Sequence, residues 1–131
     1  MVKTQSSQMV NGQMDATWKQ FLRKKVNSFI KWDLVRFFHD NPYTADTAAN
    51  IAAVVGRDTS VIIRELEGLV KTEVLIKERV SGQVIYRLTT ETDTRQLIRE
   101  FVVACHNREF RVHAINQMML GMGFSSQHST S

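Results

Sequence analysis

Apolar residues recur at every third or fourth position along much of the chain, which is the period of amphipathic helices. The first such segment begins after Asp15 and places lysines and arginines largely between its apolar side chains. A second segment, FIKWDLVRFFHDNP, follows Ser28, a candidate N-cap, and stops at Asn41 because the residue before a proline disfavours helical backbone. Apolar side chains almost encircle this second helix, so the pattern predicts that it is covered on more than one side.

Two shorter helical segments follow and are separated by the polar stretch GRDTS. The first is rich in alanine, has Asp46 or Thr47 as its N-cap and closes at Gly56. The second has Asp58 or Thr59 as its N-cap and continues through RELEGLV. The break is too short for a domain boundary and too polar for a buried kink. It therefore predicts two packed helices joined by a tight turn.

β-branched and aromatic residues dominate the next stretch, EVLIKERVSGQVIYRL, in which Ser81-Gly82 can supply a turn with positive φ. This pattern predicts a β-hairpin. Thr92 or Asp93 then caps a long apolar stripe. The fold is expected to end with one long helix, or with two if the polar stretch HNRE interrupts it.

Together these elements predict a mainly α fold with a small β-hairpin, in the α+β class. The chain has 131 residues, the size of a single domain. Residues 15–124 are expected to form that domain. Residues 1–14 and 125–131 are polar and lack periodicity, so they are expected to be a disordered arm and a disordered tail.

The formal net charge of +4 favours a polyanionic partner. The single Cys105 cannot form an internal disulfide, which favours a reducing compartment. The N-terminal residues do not resemble a signal peptide, and no stretch approaches the roughly 20 apolar residues that a membrane span needs. We therefore expect a cytoplasmic protein that does not enter a membrane.

The order of the elements and the stretch FHDNPYTADTAANIAAVVGRDTSVIIRELEGLVKTEVLIKE resemble the winged helix-turn-helix transcription regulators of the ArsR and MarR types. The resemblance covers roughly residues 28–88 and includes the return strand VIYRLT. The positions that carry it are Ile51, Ala52, Gly56, Asp58, Leu66, Leu69 and Val70. The chain departs from these relatives at Glu73, where they often have glycine, and in the apolar Val61, Ile62 and Ile63 on the expected recognition face. The resemblance implies a winged helix-turn-helix domain with extra N- and C-terminal helices.

The resemblance also implies a sequence-specific transcription regulator whose recognition helix enters the major groove of double-stranded DNA. In the turn and this helix, the residues expected at DNA are Arg57, Thr59, Ser60, Ile63 and Arg64. Arg64 is suited to bond guanine, Ile63 to touch a thymine methyl, and Arg57 to face phosphate. The alternative is that the apolar residues here belong mostly to the core and that Arg64 pairs with Glu67 or with another carboxylate on its own surface.

The hairpin, as the wing, is expected on the DNA backbone. Its candidate residues are Lys77, Arg79, Gln83 and Arg87. Strand alternation places Lys77 and Arg79 on one face, where both can approach phosphate. A solvated hairpin that does not touch DNA would have the same pattern.

Winged-helix dimers bind two half-sites about one helical turn apart, so a homodimer is expected. The outer helices carry more apolar surface than one domain of this size needs. The residues expected at the dimer interface are Trp18, Phe21, Leu22, Trp32, Leu97, Phe101, Val112, Ile115 and Met119. The alternative is that these helices pack on each other within one chain.

The sequence has no phosphate-binding glycine loop, no HExxH motif and no nucleophile elbow, so no enzymatic activity, catalytic residue or cofactor is predicted. Cys105 and His113 are the best-spaced soft ligands, but without a partner chain they could not chelate one ion, so no metal site is predicted. A second function stays open, namely a winged-helix module that binds a protein through its apolar recognition helix. The operator, any effector and the direction of regulation are not determined by the sequence.

Overall fold

The computed structural model describes residues 9–10 and 13–122. Within these residues the chain forms six helices and five short strands. In chain order they are β1 (Met9–Val10), β2 (Gln13–Met14), α1 (Ala16–Lys24), α2 (Phe29–Asp40), β3 (Ala45–Asp46), α3 (Ala48–Val55), α4 (Thr59–Lys71), β4 (Leu75–Val80), β5 (Gln83–Leu88), α5 (Thr92–Ala104) and α6 (Arg108–Gly121). The fold is mainly helical with a small antiparallel sheet, which confirms the predicted α+β class.

Local capping sets the bounds of the central helices as the sequence predicts. The Ser28 hydroxyl accepts a hydrogen bond from the Lys31 amide at the start of α2. Thr47 caps α3, and Asp58 caps α4. Between these two helices Gly56 has φ of 75°, the left-handed conformation in which helices commonly end and which glycine adopts without strain. The predicted pair of helices around a tight turn is therefore confirmed.

The sheet has three antiparallel strands in the order β3-β5-β4. β4 and β5 form the predicted hairpin, and its two turn residues, Ser81 and Gly82, have φ of 52° and 81°. β3 pairs with β5, with Ala45 opposite Arg87. The sequence did not predict β3, because a strand of two residues is too short to show alternation.

The ends of the fold differ from the sequence prediction in two ways. β1 and β2 pair as short antiparallel strands, where an arm without regular structure is expected, and Met14 is buried. The rest of the predicted arm and the whole predicted tail lie outside the described residues. The N-cap of α5 is Glu91, where Thr92 or Asp93 is expected. The last helical stretch is broken into α5 and α6, with Asn107 as the N-cap of α6, which confirms the alternative that the polar stretch HNRE interrupts it.

One hydrophobic core joins the outer helices to the central ones. Trp18 and Phe21 of α1 pack with Phe101 of α5, at ring-centroid distances of 6.1 and 5.3 Å, and Trp18 also meets Phe110 of α6 edge-on at 5.6 Å. Such aromatic packing contributes strongly to a core because large apolar areas leave water.

The packing of this core shows that part of the predicted dimer interface is wrong. Trp18, Phe21, Leu22 and Phe101 are almost completely buried within one chain. Their apolar surface is already covered, so they have none left for a partner.

In the described part of the chain, no helix combines the length and the apolar character that crossing a membrane requires.

Candidate nucleic-acid interface

Helix α4 packs on the core through its inner face, and this packing sets the direction in which its outer face points. Ile62, Leu66 and Leu69 are buried in the core. Glu65 attaches the helix to α2, because its carboxylate accepts a hydrogen bond from the Ser28 hydroxyl at 2.8 Å and lies 3.4 Å from Nζ of Lys31. The outer face near the N-terminus of α4 is therefore a rigid surface.

The three consecutive apolar residues of α4 have different environments. Ile62 is fully buried, Val61 is half-buried, and Ile63 is 42% exposed. The expectation of an exposed recognition face that includes all three is wrong for Ile62, since it fills the core. Ile63 is therefore the most exposed of the three apolar side chains and the one that a ligand on this face would contact.

Arg64 lies beside Ile63 on the exposed face of α4. Among the described residues it forms no salt bridge, and the alternative pairing with Glu67 is not made. Its five N–H donors are in the planar arrangement that can bond a guanine edge or a phosphate.

The two hydroxyl residues at the start of α4 have different roles. Ser60 donates from both its hydroxyl and its backbone amide to the Asp58 carboxylate, and these bonds lower the pKa of Asp58. Thr59, the first residue of the helix, is half-buried. Ser60 can still accept a hydrogen bond, but its proton is already used in the cap.

Arg57, in the turn before α4, is paired within the chain. Its Nη2 lies 2.7 Å from Oδ2 of Asp33 on α2, and both side chains are largely exposed. The sequence predicts that Arg57 faces phosphate; in the fold a carboxylate already neutralises much of its charge. A phosphate at this position would have to share or replace Asp33.

Two cations of the hairpin are likewise paired with carboxylates of the same chain. Nζ of Lys77 lies 2.9 Å from Glu67 of α4, and Nη2 of Arg87 lies 2.8 Å from Glu78 of the neighbouring strand. The Tyr86 hydroxyl also donates to Glu67, at 2.6 Å. These partners lower the pKa of Glu67, with Tyr86 the larger cause and Lys77 the next.

The tip of the hairpin carries the remaining predicted wing residues. Arg79 donates to the carbonyl oxygen of Gly82 at 3.3 Å, and Gln83 is exposed. Neither residue faces a carboxylate within hydrogen-bonding distance in the described part of the chain. Arg79 therefore keeps its positive charge available to solvent.

Most of the residues predicted to bind DNA thus lie on α4 and the adjacent hairpin. Three of the five cations among them, Arg57, Lys77 and Arg87, are paired with carboxylates of the same chain. These carboxylates are Asp33, Glu67 and Glu78, of which the sequence pointed only to Glu67, and then as a partner of Arg64 instead of Lys77. Each is distant in sequence or on a neighbouring strand, so no local pattern points to the pairing. Lys71, exposed at the end of α4, is a further cation that the sequence reading missed.

A second candidate surface lies on the outer helices. Val112 and Ile115 of α6 are 55% and 36% exposed, and Met119 continues the same face half-buried. Trp32 and Leu97, also predicted at the dimer interface, are half-buried and pack against the core. The apolar face of α6 is therefore what remains of the predicted interface.

Potential metal ligands are dispersed. Cys105 is the C-cap of α5 and His113 lies on α6, and within the described residues no three histidine, cysteine or acidic side chains cluster as a metal site would require. Burial raises the pKa of the Cys105 thiol to about 12, so it is a neutral thiol at physiological pH.

Comparison of the chain with models of protein families, with curated proteins and with solved structures found no match.

Proposed function

We propose that this chain is a winged helix-turn-helix protein that binds double-stranded DNA as a homodimer. The element order α2-β3-α3-α4-β4-β5, with β5 in the centre of the sheet, supports the winged-helix assignment. In that arrangement α4 is the recognition helix and the β4-β5 hairpin is the wing. This architecture suits insertion of α4 into a major groove, whose width admits one helix.

The observation that carries the proposal is the outer face of α4. It presents Arg64 without an ion-pair partner among the described residues, next to the exposed Ile63 and beside a hairpin whose tip carries Arg79. An arginine and an aliphatic side chain on one helix face can bond guanine and touch a thymine methyl in adjacent steps. We propose these two residues as the base-reading pair.

One observation favours a different function. Arg57, Lys77 and Arg87 are all compensated by carboxylates of the same chain, which leaves the surface less positive than the sequence implies. Phosphate contacts supply most non-specific affinity for DNA, so a neutralised surface weakens this term. The second candidate function is therefore a protein-interaction module that buries Ile63 against a partner protein.

The proposed dimer uses the face of α6 that contains Val112, Ile115 and Met119. Two copies related by a twofold axis would bury these side chains against each other, because such an interface pairs the same patch on both subunits. The twofold axis would also present two copies of α4 to two half-sites.

The decisive experiment is selection of bound duplexes from a random pool, followed by titration of the best and of a random duplex at two salt concentrations. If α4 reads DNA, Arg64→Ala weakens the best site by about 1 to 3 kcal/mol and random DNA by less. Arg99→Ala is the matched control, because Arg99 is an exposed arginine on α5, outside α4 and outside the proposed dimer face.

Equal losses on both duplexes would make Arg64 a phosphate contact instead of a base reader. No salt-dependent binding to any duplex would reject the DNA proposal and favour the protein-interaction module.

A further inference from the structure

An open groove with a volume of about 360 Å³ runs between α1 and α5. Its α5 wall is formed by Leu97. Its α1 wall is formed by two rows of residues spaced four apart, Ala16, Gln20 and Lys24 in one row and Thr17, Phe21 and Lys25 in the other. Residues four apart lie on the same side of a helix, so the groove follows the whole length of α1, about 14 Å at 1.5 Å per residue.

The base of the groove is apolar. Phe21 closes it from below but is almost completely buried, whereas Leu97 is half-buried and keeps part of its side chain open to the groove. Ala16 and Thr17 are exposed at the other end of α1 from the two lysines. The groove therefore offers a narrow apolar stripe that can hold a few aliphatic side chains of a partner.

The rim of the groove is basic where α1 ends. Lys24 is exposed, and within the described residues it forms no salt bridge. Lys25 is half-buried, and its Nζ donates one hydrogen bond, to the carbonyl oxygen of Thr72 at 3.1 Å. An ammonium group has three N–H donors, so Lys25 keeps two for a ligand. Among the described residues that line the groove, none is acidic.

Glu91, the N-cap of α5, is a carboxylate whose charge interacts with that of Lys25. Its side chain accepts a hydrogen bond from the Thr94 amide at 2.9 Å. Bonds from Thr94 are the main cause that lowers the pKa of Glu91, and the charge of Lys25 is the smallest one. Glu91 is therefore used mainly to cap α5, and it compensates Lys25 only weakly.

The two walls limit the kind of partner that fits. Both are helices, whose backbone groups are bonded within each helix, so the groove has no strand edge to which an extended peptide could pair. A helix fits such a groove because it satisfies its own backbone and binds through side chains. A DNA duplex could use the two lysines but would leave the apolar stripe without a contact.

We propose that this groove binds an acidic amphipathic helix of a partner protein. Aliphatic side chains of the partner pack on Leu97 and Ala16, and its carboxylates bond Lys24 and Lys25. Opposite charges at the rim select and orient the partner, while the stripe requires it to be apolar on one face. The site is distinct from the outer face of α4 and does not depend on the proposed DNA binding.

The test is a titration of the intact chain, without DNA, into a fluorescein-labelled synthetic helix that has leucines on one face and glutamates on the other. Fluorescence anisotropy should give a dissociation constant of about 0.1 mM, because few side chains are buried. One control peptide has glutamine in place of every glutamate. A second has the same composition, rearranged so that the leucines no longer share a face. Each control should bind about tenfold more weakly, and equal binding of either would overturn the proposal.

The variant Lys24→Glu should weaken the acidic peptide about tenfold, because it replaces an attraction with a repulsion, and should leave the glutamine peptide within about twofold. Arg99→Glu is the matched control, since Arg99 is an exposed cation of α5 that does not line the groove. Circular dichroism should be unchanged in both variants, because both side chains are exposed. No effect of Lys24→Glu, or an equal effect of Arg99→Glu, would overturn the proposal.

Amide chemical shifts of the isotope-labelled chain locate the bound peptide. The largest changes are expected at Thr17, Gln20 and Leu97, which line the groove. Changes centred on α4 or α6 would show that the peptide binds elsewhere, and the assignment of this groove would be wrong. A random DNA duplex that displaces the peptide, and that is itself weakened about tenfold by Lys24→Glu, would make this face a nucleic-acid surface and would reject the proposed partner.

Discussion

Gly121, the last residue of α6, lies against the backbone of α1. A Cβ at this position would lie 3.0 Å from Cα of Arg23 and 3.2 Å from its carbonyl oxygen. Backbone atoms cannot move aside without shifting the helix. We therefore expect Gly121→Ala to lower the free energy of unfolding by about 1 to 3 kcal/mol, measured by urea titration.

Gly68, in the middle of α4, is the control for that prediction. A Cβ here would lie 2.7 Å from Cε of Lys31, which is near the end of a flexible side chain. Lys31 can turn away at the cost of its half-buried pair with Glu65, and alanine gains roughly 1 kcal/mol of helix propensity over glycine. Gly68→Ala should therefore change stability little. A larger loss at Gly68 than at Gly121 would contradict the close packing of α6 on α1.

The hydroxyl of Tyr86 links the central strand β5 to helix α4 through Glu67. Tyr86→Phe should lower the free energy of unfolding at neutral pH by about 0.5 to 1.5 kcal/mol, because a buried ring keeps its packing but loses one charge-assisted bond. Tyr43→Phe, at a residue that is 95% exposed, should have no effect.

The cost of Tyr86→Phe should depend on pH in a defined direction. The pKa of Glu67 is lowered from 4.5 in the fold, so its contribution is present above pH 4.5 and is lost as the pH falls through the folded value. Burial and Glu67 raise the pKa of Tyr86 from 10.0 to about 12, so that contribution is lost as the pH rises from 10 to 12. Urea titrations of both proteins across this range should show the largest difference near neutrality. A difference that does not change with pH would mean that the bond between Tyr86 and the ionised Glu67 does not account for it.

At the scale of elements, Glu67 connects the proposed recognition helix with the proposed wing. Its carboxylate neutralises Lys77 on the surface that would meet DNA. Glu67→Gln removes this negative charge and leaves an amide oxygen for Tyr86. We expect tighter binding to all duplexes and a salt slope steeper by about one unit, because Lys77 becomes available to phosphate.

Asp93→Asn is the matched control for Glu67→Gln, since Asp93 is an exposed carboxylate at the start of α5, outside the proposed dimer face. Both variants gain one unit of net charge, so a purely global charge effect would appear in both. Salt titrations by fluorescence anisotropy distinguish the two cases. Equal slopes for Glu67→Gln and the original chain would show that Lys77 does not reach DNA.

At the scale of the whole molecule, the proposed dimer predicts two different outcomes for two kinds of substitution. Val112→Asp combined with Ile115→Asp should give a folded monomer, because both side chains are on the exposed face of α6. Sedimentation at micromolar concentration should show the mass halved relative to the original chain, with unchanged circular dichroism. Val54→Asp, at an exposed valine of α3, is the control and should stay dimeric.

Phe101→Asp should instead unfold the chain. Phe101 is fully buried among aromatic rings, and a large core truncation alone costs about 3 to 5 kcal/mol, before a buried charge is added. This cost is comparable with the whole stability of a small domain, about 5 to 15 kcal/mol. A monomeric original chain would reject the proposed dimer, whereas a folded Phe101→Asp variant would reject the core described here.

The features that the sequence by itself determined are those that depend on neighbours along the chain. Ser28 and Asp58 cap their helices because each side chain reaches a backbone amide two or three residues away. Gly56 and the Ser81-Gly82 turn take positive φ where few other residues do so without strain. These short-range interactions defined the helix pair, the hairpin and hence the α+β class.

Tertiary structure alone decided which side chains are free. A helical stripe shows that one face is apolar, but it does not show whether the same chain or a second copy covers that face. In the fold, the aromatic side chains of α1 pack on α5 and α6 of the same chain, and those of α5 pack on α1 and α2. Likewise, the pairing of Lys77 with Glu67 joins a strand to a helix, and electrostatic attraction acts through space and not along the sequence. The sequence could thus name Lys77 as a cation near the proposed wing, but only the fold brings the carboxylate of α4 within 2.9 Å of it.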